Sequence, residues 1–283
     1  MIAETIEASL KNAVQRLRAT QDAAQLEAEI LLAFTLEKPR SYLRAWPQSK
    51  LEESQQSQYL QLIERRVKGE PIAYIIGTRE FWSLDLKVTP ATLIPRPETE
   101  RLVELALEKI PNNTPRRIAD LGTGSGAIAL AIAKERPLCQ ITATDASPQA
   151  IEIAKINRDT HKLSNVQFVQ SHWFYAFQET DKFDLIVSNP PYVAIEDPHL
   201  QQGDLTFEPS TALVSGPDGL DDIRQIVASS ATHLTPGGWL LLEHGYDQGK
   251  AVTQLLKENG FNSIECIADY AQNERVSMGK VST

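Results

Sequence analysis

Arg117-Ile118-Ala119-Asp120-Leu121-Gly122-Thr123-Gly124-Ser125-Gly126-Ala127 is the stretch whose reading decides the fold. Residues Arg117–Asp120 read as a short buried strand, and the pattern from Ala127 to Lys134 is that of a helix. Between them, three glycines at alternate positions let backbone approach a ligand closely. The helix N-terminus behind them offers N–H groups to a negative charge. A bare glycine turn is the plain alternative. With Ala127 the loop also satisfies the loose dinucleotide form G-x-G-x-x-A, so by itself it leaves both NAD and S-adenosylmethionine open.

Outward from this loop the chain alternates strand and helix. Strands are expected at 140–144, 166–169, 183–187 and 239–243, with helices at 148–157, 220–234 and 250–259. Such alternation with short connections predicts an α/β fold with a mostly parallel, doubly wound sheet. The alternating tails around Ile264-Glu265-Cys266-Ile267 and Arg275-Val276-Ser277-Met278 predict an antiparallel hairpin closing one edge.

Upstream the period is helical. Ile2, Ile6, Leu10, Val14 and Leu17 form one apolar stripe, Leu26, Ile30, Leu31 and Phe34 a second, and Leu60, Ile63 and Val67 a third that stops at Gly69 and Pro71. The first 70 residues carry ten Lys/Arg and ten Asp/Glu, a neutral bundle with no electrostatic grip on phosphates. From Pro71 to about Arg96 the period changes. Leu84, Leu86 and Val88 alternate with polar residues, and with Tyr74-Ile75-Ile76 before them they predict a hairpin linker. Pro97-Glu98-Thr99-Glu100 then opens a helix, with proline and acids in its first turn. The expected division is 1–70, 71–96 and 97–283.

Two further strand ends carry chemistry. Asp145 ends the second strand, 23 residues after Gly122, where a carboxylate can accept both hydroxyls of a ribose. Ser147 can cap the next helix in its place. Asn189-Pro190-Pro191-Tyr192 follows the strand Phe183–Ser188. There the Asn189 carboxamide oxygen and the Pro190 carbonyl can accept from a planar NH2 group, with Tyr192 packed on its face. Trp173, after the third strand, suits either an adenine wall or the core. His172 has no metal-binding partner at a helical spacing, and no metal site is expected.

Composition narrows the field. The 283 residues carry a net charge of −9, which does not favour a nonspecific hold on nucleic acid. The two cysteines, Cys139 and Cys266, fit no metal spacing and suit a reducing compartment. No apolar run approaches a membrane span and the N-terminus is no signal peptide, so a cytoplasmic protein without membrane contact is expected.

With these pieces in this order, the sequence resembles the peptide chain release factor glutamine N5-methyltransferases, the PrmC/HemK family. The resemblance covers essentially the whole chain. It rests on Ile94-Pro95-Arg96-Pro97-Glu98-Thr99-Glu100, Asp120 to Gly126, Asn189 to Tyr192, Phe207-Glu208-Pro209 and Glu243-His244-Gly245. It implies a Rossmann-like class I S-adenosylmethionine-dependent methyltransferase sheet behind a small helical domain that recognises the release factor. It also implies S-adenosyl-L-methionine held by Gly122, Thr123, Gly124, Ser125, Gly126, Asp145, Trp173 and Asn189, leaving as S-adenosyl-L-homocysteine. The substrate implied is a class 1 release factor, its glutamine held by Asn189, Pro190, Pro191 and Tyr192, with no direct nucleic-acid contact. Many relatives have an acid where this chain has His172. Rival readings are methylation of a flipped base, which the same tetrad can hold, an NAD-dependent oxidoreductase, and a binding module without catalysis. The acidic chain and neutral N-terminal region speak against the first. Asn189 to Tyr192 is unexplained by the second.

Overall fold

The computed structural model describes residues 4–18 and 23–282, and Ile2 of the first stripe lies outside them. The chain divides into two compact units, Met1–Thr78 with Gln201–Phe207, and Arg79–Leu200 with Glu208–Thr283.

The first unit is helical: α1 Ile6–Leu17, α2 Ala24–Leu36, α3 Arg40–Ala45, α4 Glu53–Val67 and α5 Ile72–Ile76. Thr5 caps α1 by accepting from the Ala8 N–H, and Glu52 with Gln55 forms a capping box at α4. Ile6, Leu17, Leu31, Leu32 and Ile63 are fully buried in the core. Each contributes roughly 1.5–3 kcal/mol of burial free energy. Two expectations need correction. In α2, Leu26 and Phe34 are exposed, and the buried stripe is Ala24, Ala28, Leu31, Leu32 and Thr35. Tyr74-Ile75-Ile76 is helix rather than strand. Pro71 precedes its first turn, Gly77 closes it with φ +79°, and burial of Tyr74 and Ile75 overrides their strand propensity.

The expected hairpin is β1 Thr78–Phe81 with β2 Leu84–Lys87, joined by Trp82 and Ser83, both at positive φ. A 3₁₀ turn, Pro97–Thr99, leads into α6 Glu100–Lys109. Then follow β3 Arg117–Leu121, α7 Ala127–Glu135, β4 Gln140–Asp145, α8 Pro148–His161, β5 Val166–Gln170 and β6 Phe183–Ser188. They are succeeded by α9 Asp221–His233, β7 Leu234–Glu243, α10 Gly249–Glu258, β8 Asn262–Ala268 and β9 Glu274–Lys280. The seven-stranded sheet has the order β5-β4-β3-β6-β7-β9-β8. Its first five strands run parallel and β9 is antiparallel to both its neighbours. The edge hairpin is where the sequence puts it.

Side chains alternate across this sheet, as strand geometry demands. Ile118, Leu185 and Val187 pack with α6 and α7 on one face. Ala119, Leu121 and Ile186 pack with Ile223, Ile226 and Val227 of α9 and Val252 and Leu256 of α10 on the other. The chain winds outward from β3 to β4 and β5, then returns to lay β6 on β3's other side. That reversal leaves a crevice beyond the C-terminal ends of β3, β4 and β6, where open α/β sheets bind ligands.

Candidate active site

A cavity of about 610 Å³ occupies that crevice. The glycine loop forms its floor. Gly122 and Gly124 have φ of +73° and +56°, a left-handed backbone that other residues rarely adopt. The Gly122 and Thr123 N–H groups both donate to the Thr144 carbonyl at 2.8 Å, which ties the loop to the neighbouring strand. Asn157 of α8, fully buried, holds it from the other side. Its Nδ2 donates to the Ser125 carbonyl at 2.9 Å and to the Lys87 carbonyl at 3.0 Å, while Oδ1 accepts from the Lys87 N–H at 2.7 Å. One side chain thus joins loop, helix and hairpin.

Asp145 ends β4 at the cavity wall. Its Oδ2 accepts from the Gly124 N–H and its Oδ1 from the Ser147 N–H, each at 2.9 Å. Ser147 does cap α8, accepting from the Ala150 N–H at 3.2 Å. Asp145 is therefore less independent than the sequence suggests, since it also braces the loop. Each carboxylate oxygen has a second lone pair, which fits two ligand hydroxyls. Burial pushes its pKa up, and the Ser147 and Gly124 N–H groups pull it back.

Trp173 lines the cavity, and a Cβ added to Gly122 would meet its ring at 3.1 Å. The indole Nε1 donates to Asp222 Oδ1 at 3.1 Å. His172, edge-on to Trp173 at 5.4 Å between ring centroids, lines the same cavity.

Asn189 leaves the end of β6 and donates its Nδ2 to Thr99 Oγ1 at 3.2 Å. The expected site residues Gly122, Thr123, Gly124, Ser125, Asp145, Trp173, Asn189 and Pro191 come together around this one cavity. Gly126, Pro190 and Tyr192 are not part of its lining. Gly126 instead opens α7 against Leu130, Ala154 and Phe168, Pro190 is buried, and the Tyr192 ring packs against the β6–α9 core. The Tyr192 hydroxyl donates to Glu243 Oε1 at 3.4 Å.

Several residues here have no individual signal in the sequence. Arg96 lines the cavity and pairs with buried Glu208, whose Oε1 also accepts from the Ile94 N–H at 3.1 Å. This clamp joins the two segments Ile94–Glu100 and Phe207–Pro209, which are far apart in sequence. Asp222 and Thr99 also line the cavity, and Glu243 lies fully buried behind Thr99 and Tyr192. Asp120, fully buried under the loop, accepts from the Thr123 hydroxyl at 2.6 Å, and burial pushes its pKa up to about 7.

Comparison with known proteins agrees with this arrangement. Residues 8–77 match the PrmC N-terminal domain, and residues 100–211 match the methyltransferase small domain. A structure titled as a methyltransferase from Pyrococcus furiosus superposes with a TM-score of 0.53 at 20% identity, covering 78% of this chain and 98% of its own, a likeness of fold. A release factor glutamine methyltransferase of Pseudomonas aeruginosa is 52% identical over 91% of this chain and 93% of its own length. One of Vibrio cholerae is 50% identical over 99% and 98%. At that identity over nearly the whole length of both chains, the protein belongs to the release factor glutamine methyltransferase family.

Proposed function

We propose that this protein transfers a methyl group from S-adenosyl-L-methionine to the side-chain amide nitrogen (N5) of the glutamine in the Gly-Gly-Gln motif of class 1 peptide chain release factors, so tuning translation termination. The observation that carries the reading is the meeting of the glycine loop, Asp145 and Asn189 around one cavity. The relatives' names supply the substrate class.

The glycine loop, with no side chain at Gly122 or Gly124, would let the cofactor approach the backbone closely, Asp145 would take its ribose hydroxyls, and Trp173 would flank its adenine. Bound there, S-adenosyl-L-methionine would supply a methyl group activated by a sulfonium and leave as S-adenosyl-L-homocysteine. The task of the protein is then to make an amide nitrogen nucleophilic. That nitrogen's lone pair is delocalised into its carbonyl, with a rotation barrier of ~18–20 kcal/mol in the related peptide bond. Asn189 Oδ1, at the cavity wall, would accept one of its N–H groups, raise its electron density and point it along the line of transfer. The cofactor would supply the methyl group to that nitrogen, and the nitrogen's extra proton would be released after transfer.

The helical unit, with its own core and its match to the PrmC N-terminal domain, serves as the release-factor recognition domain in this reading. Residues 71–96 form the connection and 97–283 the catalytic domain. A translation factor as substrate puts the protein in the cytoplasm, and among the described residues no helix is long and apolar enough to cross a membrane. Transfer of labelled methyl to release factor, DNA and RNA, measured side by side, tests the reading. Label should enter release factor alone. Label in nucleic acid with none in the factor would refute it.

A further inference from the structure

The Asn189–Tyr192 segment leaves the sheet as soon as it begins. The ladders of β6 end at Ser188, which pairs with Leu121 on one side and Leu242 on the other. Beyond that point the chain is short of donors, because Pro190 and Pro191 carry no N–H. It is also stiff: both prolines fix φ, and the residue before each is pushed to extended backbone. A stiff segment moves as a unit, so whatever holds its far end helps to set where Asn189 lies.

At that far end the Tyr192 carbonyl accepts from Gln248 Nε2 at 2.9 Å. Nε2 also donates to the Asp218 carbonyl at 3.3 Å, and Oε1 accepts from the Gly245 N–H at 2.8 Å. One carboxamide thus ties together the tetrad, the approach to α9 and the turn between β7 and α10. Its three partners are backbone groups with fixed roles, so its orientation is fixed too. Reversed, its oxygen would face two carbonyl oxygens. Gly219 closes around the same point at φ +76°, where a Cβ would collide with the Tyr192 carbonyl oxygen and come within 2.8 Å of Gln248 Nε2. Gln248 stands at the N-cap of α10 yet makes no capping bond with its side chain. A serine or aspartate would cap that helix better. The longer glutamine reaches across to the tetrad instead.

We propose that Gln248 is a positioning residue for methyl transfer, clamping the Tyr192 carbonyl so that Asn189 Oδ1 stays in line with the substrate nitrogen. The inference rests on the glutamine-methylation reading above. Gln248 is not part of the cavity lining, and it bonds neither the glycine loop nor Asp145. Its loss therefore acts on turnover and leaves cofactor affinity in place.

The test is kcat and KM for transfer to intact release factor, with cofactor Kd and binding stoichiometry by calorimetry. Rates are normalised to that stoichiometry, so unfolded protein does not count. Gln248→Met keeps the length and removes all three hydrogen bonds. It should lower kcat by roughly 10- to 100-fold, the scale for a displacement of about 1 Å at a reacting group, with KM and cofactor Kd within about twofold of wild type. Gln248→Glu keeps the shape and the acceptor for Gly245 but, when ionised, offers no donor to the two carbonyls. Those carbonyls and partial burial raise the pKa of the introduced carboxyl, and once protonated it can donate to Tyr192. Its rate relative to wild type should therefore climb as pH falls from about 8 to about 5.5, while that of Gln248→Met stays level. Wild-type kcat in Gln248→Met, a rise in KM or cofactor Kd matching the fall in kcat, or a pH-independent ratio for Gln248→Glu would each overturn the clamp. If the wild-type protein transfers nothing to release factor, the parent reading fails and takes the clamp with it. If wild type is active and the variants are unaltered, only the clamp fails.

Discussion

Trp173 and Asp222, 49 residues apart in the chain, are joined by a 3.1 Å hydrogen bond from the indole Nε1 to Oδ1. Trp173 sits at φ +45°, where a bulky residue is strained by about 1–3 kcal/mol. Something must hold it, and Asp222 at the start of α9 is placed to do so. Asp222→Ala should weaken S-adenosylmethionine binding about fivefold to tenfold, equivalent to ~1–1.4 kcal/mol for one lost hydrogen bond. Asp222→Asn, which keeps an acceptor, should bind nearly as wild type. Equal calorimetric affinity for alanine and wild type would mean that packing alone orients the indole.

Asp145 has two tasks, so its variants should separate. Asp145→Asn keeps one acceptor oxygen and should cost ~1.5–3 kcal/mol of cofactor affinity, the range for hydrogen bonds to a charged group. Asp145→Ala should cost more. It should also lower the melting temperature without cofactor, since the Gly124 and Ser147 N–H groups lose their acceptor. Calorimetry and thermal melts on both variants read the two effects apart.

Asp120 makes stability depend on pH. Burial lifts its carboxyl from 3.8 to about 7 in the folded protein, with the Asp145 charge adding to the rise and the Thr123 hydrogen bond opposing it. The folded state therefore holds a proton that the unfolded chain has already released. This group's favourable contribution is complete below pH 3.8 and is lost as pH rises through about 7. Asp120→Asn cannot lose that proton. Its stability relative to wild type should climb between pH 4 and 7 by on the order of a few kcal/mol, then level off. Denaturant melts across that range measure it, and parallel curves would place the titration elsewhere.

The sheet is legible in the sequence because its parallel strands are short apolar runs, such as Phe183–Val187, bounded by turn signals and separated by helical periods. The loop glycines and Asp145 announce themselves at strand ends, where ligand chemistry gathers. What stays hidden depends on tertiary neighbours. The turn at Trp82 and Ser83 has neither glycine nor asparagine, although both residues take positive φ. α5 is read as strand because its Tyr-Ile-Ile content favours one, and burial between the flanking Pro71 and Gly77 makes it helix. Thr99, Glu243 and Asp222 look like ordinary cap, strand-end and first-turn residues. Their meaning comes from partners 49 to 90 residues distant. Tyr192 belongs to a quotable motif, yet its ring packs in the core rather than lining the cavity.

Arg66 of α4 is the buried cation of the helical unit, with its side chain 7% exposed. It pairs with Glu27 at 2.8 Å and with Asp204 of the 201–207 segment at 3.0 Å. Arg66→Ala would leave Glu27 nearly buried without its guanidinium, and should destabilise the unit by ~2–4 kcal/mol, toward the lower end of the range for broken buried pairs because Asp204 stays partly solvated. Under the recognition reading, transfer to intact release factor should fall while cofactor affinity holds. A variant that melts as wild type would show that the two acids find other partners.

The most direct test of the central claim locates the methyl group. Wild-type protein, S-adenosylmethionine and a class 1 release factor are incubated, and the product is digested and read by tandem mass spectrometry. One methyl on the side-chain nitrogen of the Gly-Gly-Gln glutamine is the expected result. Asn189→Ala should yield it about 100- to 1,000-fold more slowly, as when a preorganised polar contact at a reacting group is removed. A methyl on a lysine or a chain terminus, with that glutamine unmodified, would contradict the account.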